Sequence, residues 1–284
     1  MKRGPLLGFH VSISESIDLA VDRALEIGCT TFQIFTRNPR GWAFKPLDPE
    51  QARLFREKRK KAGFEKVVAH MPYLPNLAAS IKPYQDKSRA SLKAEVARCS
   101  MLEIDYLVAH IGSHMGKGTM TGVRNVIGAC NEALAADHGK TVLLIETMAG
   151  QTHSVGSRFE ELRMILDGVK DSGRMGVCLD TCHVYAAGFD ITSGPAVERT
   201  MGLFDDIVGE ERLNIVHLND SVGPLGGALD RHEHIGMGQI GEKGFRAFLR
   251  HGRVAKLPIL MEVPIDDRRK DEENMKLVRR LIGA

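Results

Sequence analysis

A single (β/α)8 TIM barrel occupying residues 1–284 is the α/β fold this sequence predicts, and three regularities predict it. Six apolar, strand-like runs end on a histidine or a carboxylate: Val67-Val-Ala-His70, Leu107-Val-Ala-His110, Val142-Leu-Leu-Ile-Glu146, Gly176-Val-Cys-Leu-Asp180, Asn214-Ile-Val-His217 and Ile259-Leu-Met-Glu262. Their end points lie 34 to 45 residues apart, about the length of one strand, one helix and two short loops. Helix-period apolar patterns fill the intervals, so strand and helix alternate as a parallel sheet requires. Eight such units argue for closure into a barrel, and 284 residues suffice to build one. An open doubly wound sheet is the alternative, weakened because no glycine-rich dinucleotide fingerprint follows the first strand.

Leu6-Leu-Gly-Phe-His10 reads as strand one. Ser14 is placed to cap the next helix, with apolar residues at 17, 20, 21, 24 and 25 and Gly28 as its stop. Thr31-Phe-Gln-Ile-Phe35 is strand two, and Thr36-Arg-Asn-Pro-Arg40-Gly-Trp42 a loop. Asp48-Pro49-Glu-Gln51 opens a helix with a cap, a proline at its first position and a box residue, and Gly63 closes it. After strand three, Met71-Pro-Tyr73-Leu74-Pro75 cannot continue as sheet or helix. A helix near 85–102, strand four, a polar loop over 111–118, a helix near 122–138 and strand five follow. Ser157-Arg-Phe-Glu160 reads as a capping box before the helix that leads to strand six. Pro195 starts the helix before strand seven. Phe245, Phe248 and Leu249 mark the helix before strand eight, and 271–282 is a closing amphipathic helix.

The composition, 43% apolar and 26% charged, is that of a soluble globular protein. There is no run of 18 apolar residues, and Met1-Lys-Arg-Gly-Pro leads straight into a strand, so a cytoplasmic chain with no membrane segment is expected. Five cysteines, at 29, 99, 130, 178 and 182, are an odd number and suggest free thiols in a reducing compartment. Cys178 and Cys182 lack zinc-knuckle spacing and read as packing residues. A net charge of +3 permits a polyanionic partner without demanding one.

The C-terminal strand ends of a barrel converge on one face, where active sites form. His70, His110, Glu146, Asp180, His217 and Glu262 would therefore share one cup, joined by His183 and by Asp230 and His232 from loops. A strand-end histidine alone is more often a hydrogen-bonded core group, and a lone carboxylate a cap. Six at barrel spacing reverse that reading, because each would carry a desolvation cost without a partner. Nine nitrogen and oxygen donors exceed the four or five one ion can use, so two or three zinc-class ions sharing a carboxylate fit. With no committed thiolate the set suits Zn2+, with Mn2+ or Fe as alternatives. His10, His114, His153 and His234 lack the periodic support and read as surrounding or surface groups. Clustered cations suit displacement at phosphorus, where charge is the main barrier.

Gly176-Val-Cys-Leu-Asp180-Thr-Cys-His183, His217-Leu-Asn-Asp-Ser221, Leu229-Asp-Arg-His232-x-x-Ile-Gly236-x-Gly-x-Ile-Gly241 and Met261-Glu-Val-Pro264 closely resemble the endonuclease IV family of zinc-dependent apurinic/apyrimidinic endonucleases. Val263 departs from that pattern, which usually has threonine there. The resemblance implies a TIM barrel that repairs double-stranded DNA containing abasic sites. It implies hydrolysis on the 5′ side of the abasic nucleotide, leaving a 3′-hydroxyl and a 5′-deoxyribose phosphate. It also implies three Zn2+ per chain, with Mn2+ an alternative at one or more positions. One ion falls to His70, His110 and Glu146, a second to Glu146, Asp180, His217 and Glu262, and a third to His183, Asp230 and His232. Glu146, Asp180 and Glu262 are the candidate catalytic residues. Arg40, Tyr73 and Leu74 match the family's minor-groove contacts, although alone they read as a solvated charge and a loop-packing pair. A monomer is expected. The competing readings are a metal-dependent sugar isomerase or epimerase on the same barrel, and a zinc-stabilised DNA-binding module.

Overall fold

The computed structural model describes residues 5–43 and 45–283; Met1–Gly4, read above for targeting signals, lie outside them. Eight strands form one parallel sheet: β1 Leu7–Phe9, β2 Phe32–Phe35, β3 Val67–His70, β4 Tyr106–Ala109, β5 Val142–Glu146, β6 Met175–Asp180, β7 Leu213–His217 and, after two short strands, β10 Ile259–Met261. Their order is β1-β10-β7-β6-β5-β4-β3-β2. The ends meet through a parallel bridge between His10 and Gln33 and the Val11 N–H to Gln33 O bond of 2.8 Å. The TIM barrel expected from the periodicity is the fold of the chain. Closure depends on Gly8, since a Cβ there would lie 1.8 Å from the Thr31 carbonyl oxygen.

Helices α1 Leu19–Glu26, α2 Pro49–Ala62, α3 Lys82–Leu102, α4 Thr119–Ala135, α5 Phe159–Gly168, α7 Gly194–Ile207, α8 Gly241–Arg250 and α9 Asp271–Ile282 belong to the expected alternation. Their apolar faces and the outward strand residues, such as Phe32, Val67, Leu107 and Val177, form one core layer. Inward residues two positions before the strand ends form another: Val68, Val108, Leu144, Cys178, Ile215 and Leu260. Side chains alternate along a strand, so the same parity that buries this plug aims the terminal His, Asp and Glu residues into the mouth above it. Between β6 and β7 the register shifts at Val177/Cys178, after which Cys178 faces Ile215 and Asp180 faces His217. The irregularity returns inward residues to inward partners.

Four local expectations need correction. Ser14 caps no helix: Glu15 takes a left-handed φ of 72°, the Arg23 guanidinium holds the Ser12 and Ser14 carbonyls, and α1 starts only at Leu19. Ser157 forms no capping box; α5 starts after Arg158, and the Glu161 carboxylate instead accepts the Gly156 N–H at 2.6 Å. A ninth helix among the described residues, α6 Thr181–Ala186, follows β6 with no loop because the Asp180 carboxylate caps it through the His183 N–H at 2.8 Å. The glycine-rich stretch before α8 contains an antiparallel pair, β8 Asp220–Ser221 with β9 His232–Glu233. No helix among the described residues is long and apolar enough to cross a membrane.

Candidate metal centre

Glu146, at the end of β5, stands at the centre of the mouth and is fully buried. Its Oε2 lies 3.1 Å from both His70 Nε2 and His110 Nε2. Its Oε1 lies 3.0 Å from His217 Nδ1 and 3.5 Å from His183 Nδ1. The two oxygens thus serve different sets of imidazoles, an arrangement that would let one carboxylate reach two cations.

Three groups of donor atoms, each within 4.8 Å of one another, are formed by His70, His110 and Glu146; by Glu146, Asp180, His217 and Glu262; and by His183, Asp230 and His232. All nine residues singled out in the sequence are therefore brought together, in the three sets the resemblance implied. Ligands about 2 Å from a shared ion stand within about 4 Å of each other, so each set would need only small side-chain adjustments to hold one. His183 Nε2 lies 3.0 Å from Asp230 Oδ1, and His232 Nε2 lies 3.6 Å from Asp180 Oδ2. Both nitrogens are buried and make no hydrogen bond, the condition a cation relieves. Glu146, Asp180, His183 and His217 are fully buried, whereas His110, Asp230, His232 and Glu262 are partly exposed along an accessible rim.

Four candidate-ligand imidazoles are oriented from behind. His70 Nδ1 donates to Met71 O at 2.7 Å, His183 Nδ1 to Thr147 O at 2.8 Å and His232 Nδ1 to Glu262 O at 3.0 Å. A carbonyl only accepts, so each pair fixes the tautomer that leaves Nε2 free for a metal. His217 is reversed: Nε2 donates to Gln33 Oε1 at 2.9 Å, leaving Nδ1 beside Glu146. Gln33 Nε2 in turn donates to Glu262 Oε1 at 2.6 Å. Asn219 donates to Asp180 Oδ2 at 2.6 Å and accepts the Glu262 N–H at 2.8 Å.

The charges are mutually adjusted. Burial pushes the Glu146 carboxyl up, but the His110 and His217 imidazolium charges outweigh it and hold the group well below the usual carboxylate range. Burial likewise opposes ionisation of Glu262 and Asp230, yet His217 and His183 respectively hold them low. For His183, burial acts downward and Asp180 and Asp230 upward, raising it to about 10. Cys178 comes within ligand distance of Glu146 and His217, and Cys182 of Asp180 and His232. Both cysteines are fully buried, as the packing role read from the sequence requires, and in the absence of a metal burial pushes both thiols up to about 12.

The three surface residues are placed around the mouth. Arg40 is exposed, Tyr73 is 65% and Leu74 40% exposed, and the Tyr73 N–H meets Pro39 O at 3.3 Å. The Tyr73 ring packs edge-on against Phe35 at 5.1 Å. Under the Arg40 loop, Arg37 Nε donates to Glu95 Oε1 at 2.5 Å and Thr36 Oγ1 to Glu95 Oε2 at 2.6 Å, with Arg98 bonded to Thr36. His114 and His153 pair at 4.9 Å between ring centroids, and His234 is buried against Asp266 and Asn274; none joins a donor group among the described residues. Sequence reasoning missed Gln33, Asn219 and Glu95. Only Asn219 had a signal, its place in His217-Leu-Asn-Asp-Ser221.

A family model described as a xylose isomerase-like TIM barrel matches residues 21–281. A probable endonuclease 4 of Methanoculleus marisnigri is 50% identical, covering 98% of this chain and 99% of that protein. One from Methanosphaerula palustris is 48% identical over 97% of both chains. The crystal structure of endonuclease IV from Thermus thermophilus superposes with a TM-score of 0.87 at 36% identity, covering 98% of this chain and 99% of that one. On identity of this order over nearly its whole length, the chain belongs to the endonuclease IV family.

Proposed function

We propose that the chain is a monomeric, cytoplasmic DNA-repair hydrolase that cleaves the phosphodiester on the 5′ side of an abasic nucleotide, leaving a 3′-hydroxyl and a 5′-deoxyribose phosphate. The observation that carries this reading is Glu146, one oxygen of which faces His70 and His110 and the other His217. Three zinc ions would be held by His70, His110 and Glu146; by Glu146, Asp180, His217 and Glu262; and by His183, Asp230 and His232. When bound, they supply charge stabilisation for in-line displacement at phosphorus and a supply of nucleophile at neutral pH.

The chain's own residues do the rest. Four carboxylates and five imidazoles leave three divalent ions with an excess of two positive charges, which suits a phosphodiester approaching along the rim. Glu146, Asp180 and Glu262 keep those charges close together, and Gln33, Asn219 and the carbonyl-bound imidazoles hold the ligands in place before substrate arrives. Arg40, Tyr73 and Leu74 stand outside the cup, where an aromatic, an apolar and a cationic side chain can enter a minor groove and support a kinked duplex. The free, buried cysteines fit a reducing compartment. A duplex oligonucleotide with one abasic site tests the proposal: incision 5′ to the lesion, lost with a chelator and restored by zinc, is expected. Intact DNA, or ketose epimerisation in its place, would contradict it.

A further inference from the structure

The motif Ile235-Gly-Met-Gly-Gln-Ile-Gly241 has the composition of a phosphate-binding loop, yet its N–H groups are already occupied. Asp220, fully buried at the start of β8, accepts five backbone N–H bonds. Its Oδ1 takes those of Ser221 at 2.8 Å and Ile240 at 2.9 Å. Its Oδ2 takes those of Gly236 at 2.9 Å, Gly238 at 3.0 Å and Gly241 at 3.3 Å. A Cβ on Gly238 would stand 2.6 Å from Asp220 Oδ1 and 2.5 Å from Ser221 O, so the cradle admits no side chain there. Concave runs of N–H groups bind anions, and here the anion is part of the chain.

We propose that Asp220 is a positioning residue for the third metal site, an internal carboxylate around which the 221–241 loop is wound so that Asp230 and His232 face His183. The route is short. Asp220 pairs with Glu233 and Ser221 with His232 in the β8–β9 ladder, and Val222 N–H bonds Arg231 O at 3.1 Å. The same loop end is fixed again by Gln239 N–H to Ser221 O at 2.8 Å. Loop residues 223–229 are mostly exposed; Gly226 N–H to Tyr185 O at 3.0 Å and Ala228 N–H to Ala186 O at 2.9 Å tie them to α6, and the cradle and ladder fix the two ends of the loop. A neutral amide at 220 keeps the volume but offers one acceptor oxygen, and turns an NH2 group against N–H donors. A loop released in this way loses orientation of both its ligands to the third ion, whereas the other two ions would draw their ligands from the strand ends.

This inference rests on the three-ion reading above. The test is a zinc titration, with a competing chromophoric chelator, of wild type, Asp220→Asn, Gly238→Ala and His232→Ala, each checked for fold by circular dichroism and thermal melting. Both Asp220→Asn and Gly238→Ala should bind the third ion about 10–100-fold more weakly, as expected for loss of an orienting partner, with the other two sites unchanged. Excess zinc should restore incision by Asp220→Asn to near its wild-type maximum, which a general loss of stability would not do. If His232→Ala loses one ion while Asp220→Asn binds all three with wild-type affinity, the proposal is wrong and the three-ion reading stands. Equal weakening of all sites in Asp220→Asn would make the cradle a general scaffold and also overturn it. Retention of three ions by His232→Ala would overturn the third site, and the proposal with it.

Discussion

Glu146 concentrates the chemistry of the mouth in one side chain. Its two oxygens face opposite imidazole sets, and Gln in its place would keep the shape while removing the charge that the proposed pair of cations would share. Glu146→Gln should reduce incision of abasic DNA by at least the ~10²–10³-fold typical of losing a preorganised electrostatic group. Single-turnover rates measure this, and a near wild-type rate would remove the residue from its role. His183 gives a pH signature for protein stripped of metal. Its folded-state pKa is raised to about 10, above the unfolded value of about 6.5. The stability it contributes is fully present below about pH 6.5 and is lost as pH rises to about 10. Thermal midpoints of chelator-treated protein should fall across that window, and those of zinc-loaded protein should not, since the ion replaces the proton. At this scale six of the nine candidate ligands were legible because strand parity and strand ends mark them; His183, Asp230 and His232 were legible from the motifs around them. Gln33 was not: it matters through His217 and Glu262, 184 and 229 residues away, contacts that exist only once the barrel closes.

Elements position the surface residues as well as the ligands. The β2–α2 loop bearing Arg40 is fixed from below by buried Glu95 of α3, which holds Arg37 and Thr36. Glu95→Ala leaves the Arg37 guanidinium without its carboxylate, and such losses cost about 3–5 kcal/mol. Chemical denaturation should show that loss. Arg40→Ala combined with Tyr73→Ala should keep fold and zinc yet bind abasic duplex roughly 5–150-fold more weakly, from the ~1–3 kcal/mol of an aromatic contact to a base. Unchanged affinity in a binding titration would return both residues to ordinary loop packing. Long helices with proline or glycine at their ends, such as α2 and α9, were readable from sequence. Short-range caps were less so. The Ser157 box failed because Glu161, one residue further along, turns back to Gly156, whose φ of 95° opens that path. Six-residue α6 was hidden because Asp180 serves at once as strand end, helix cap and metal-ligand candidate.

At the scale of the molecule, the barrel turns a sequence periodicity into a single concave site. Eight strands bring residues from 70 to 262 within a few ångströms, above a plug of Val68, Val108, Leu144, Cys178, Ile215 and Leu260. That architecture alone is shared by many chemistries. The mouth of this chain carries nine candidate donors, and the proposed function rests on their number. The decisive measurement combines metal content and activity on one sample: zinc is added stepwise to stripped protein, bound metal is counted by elemental analysis, and abasic-site incision is timed at each step. The account predicts that activity reaches its plateau only as the third equivalent binds. Full activity with a single bound ion would contradict it.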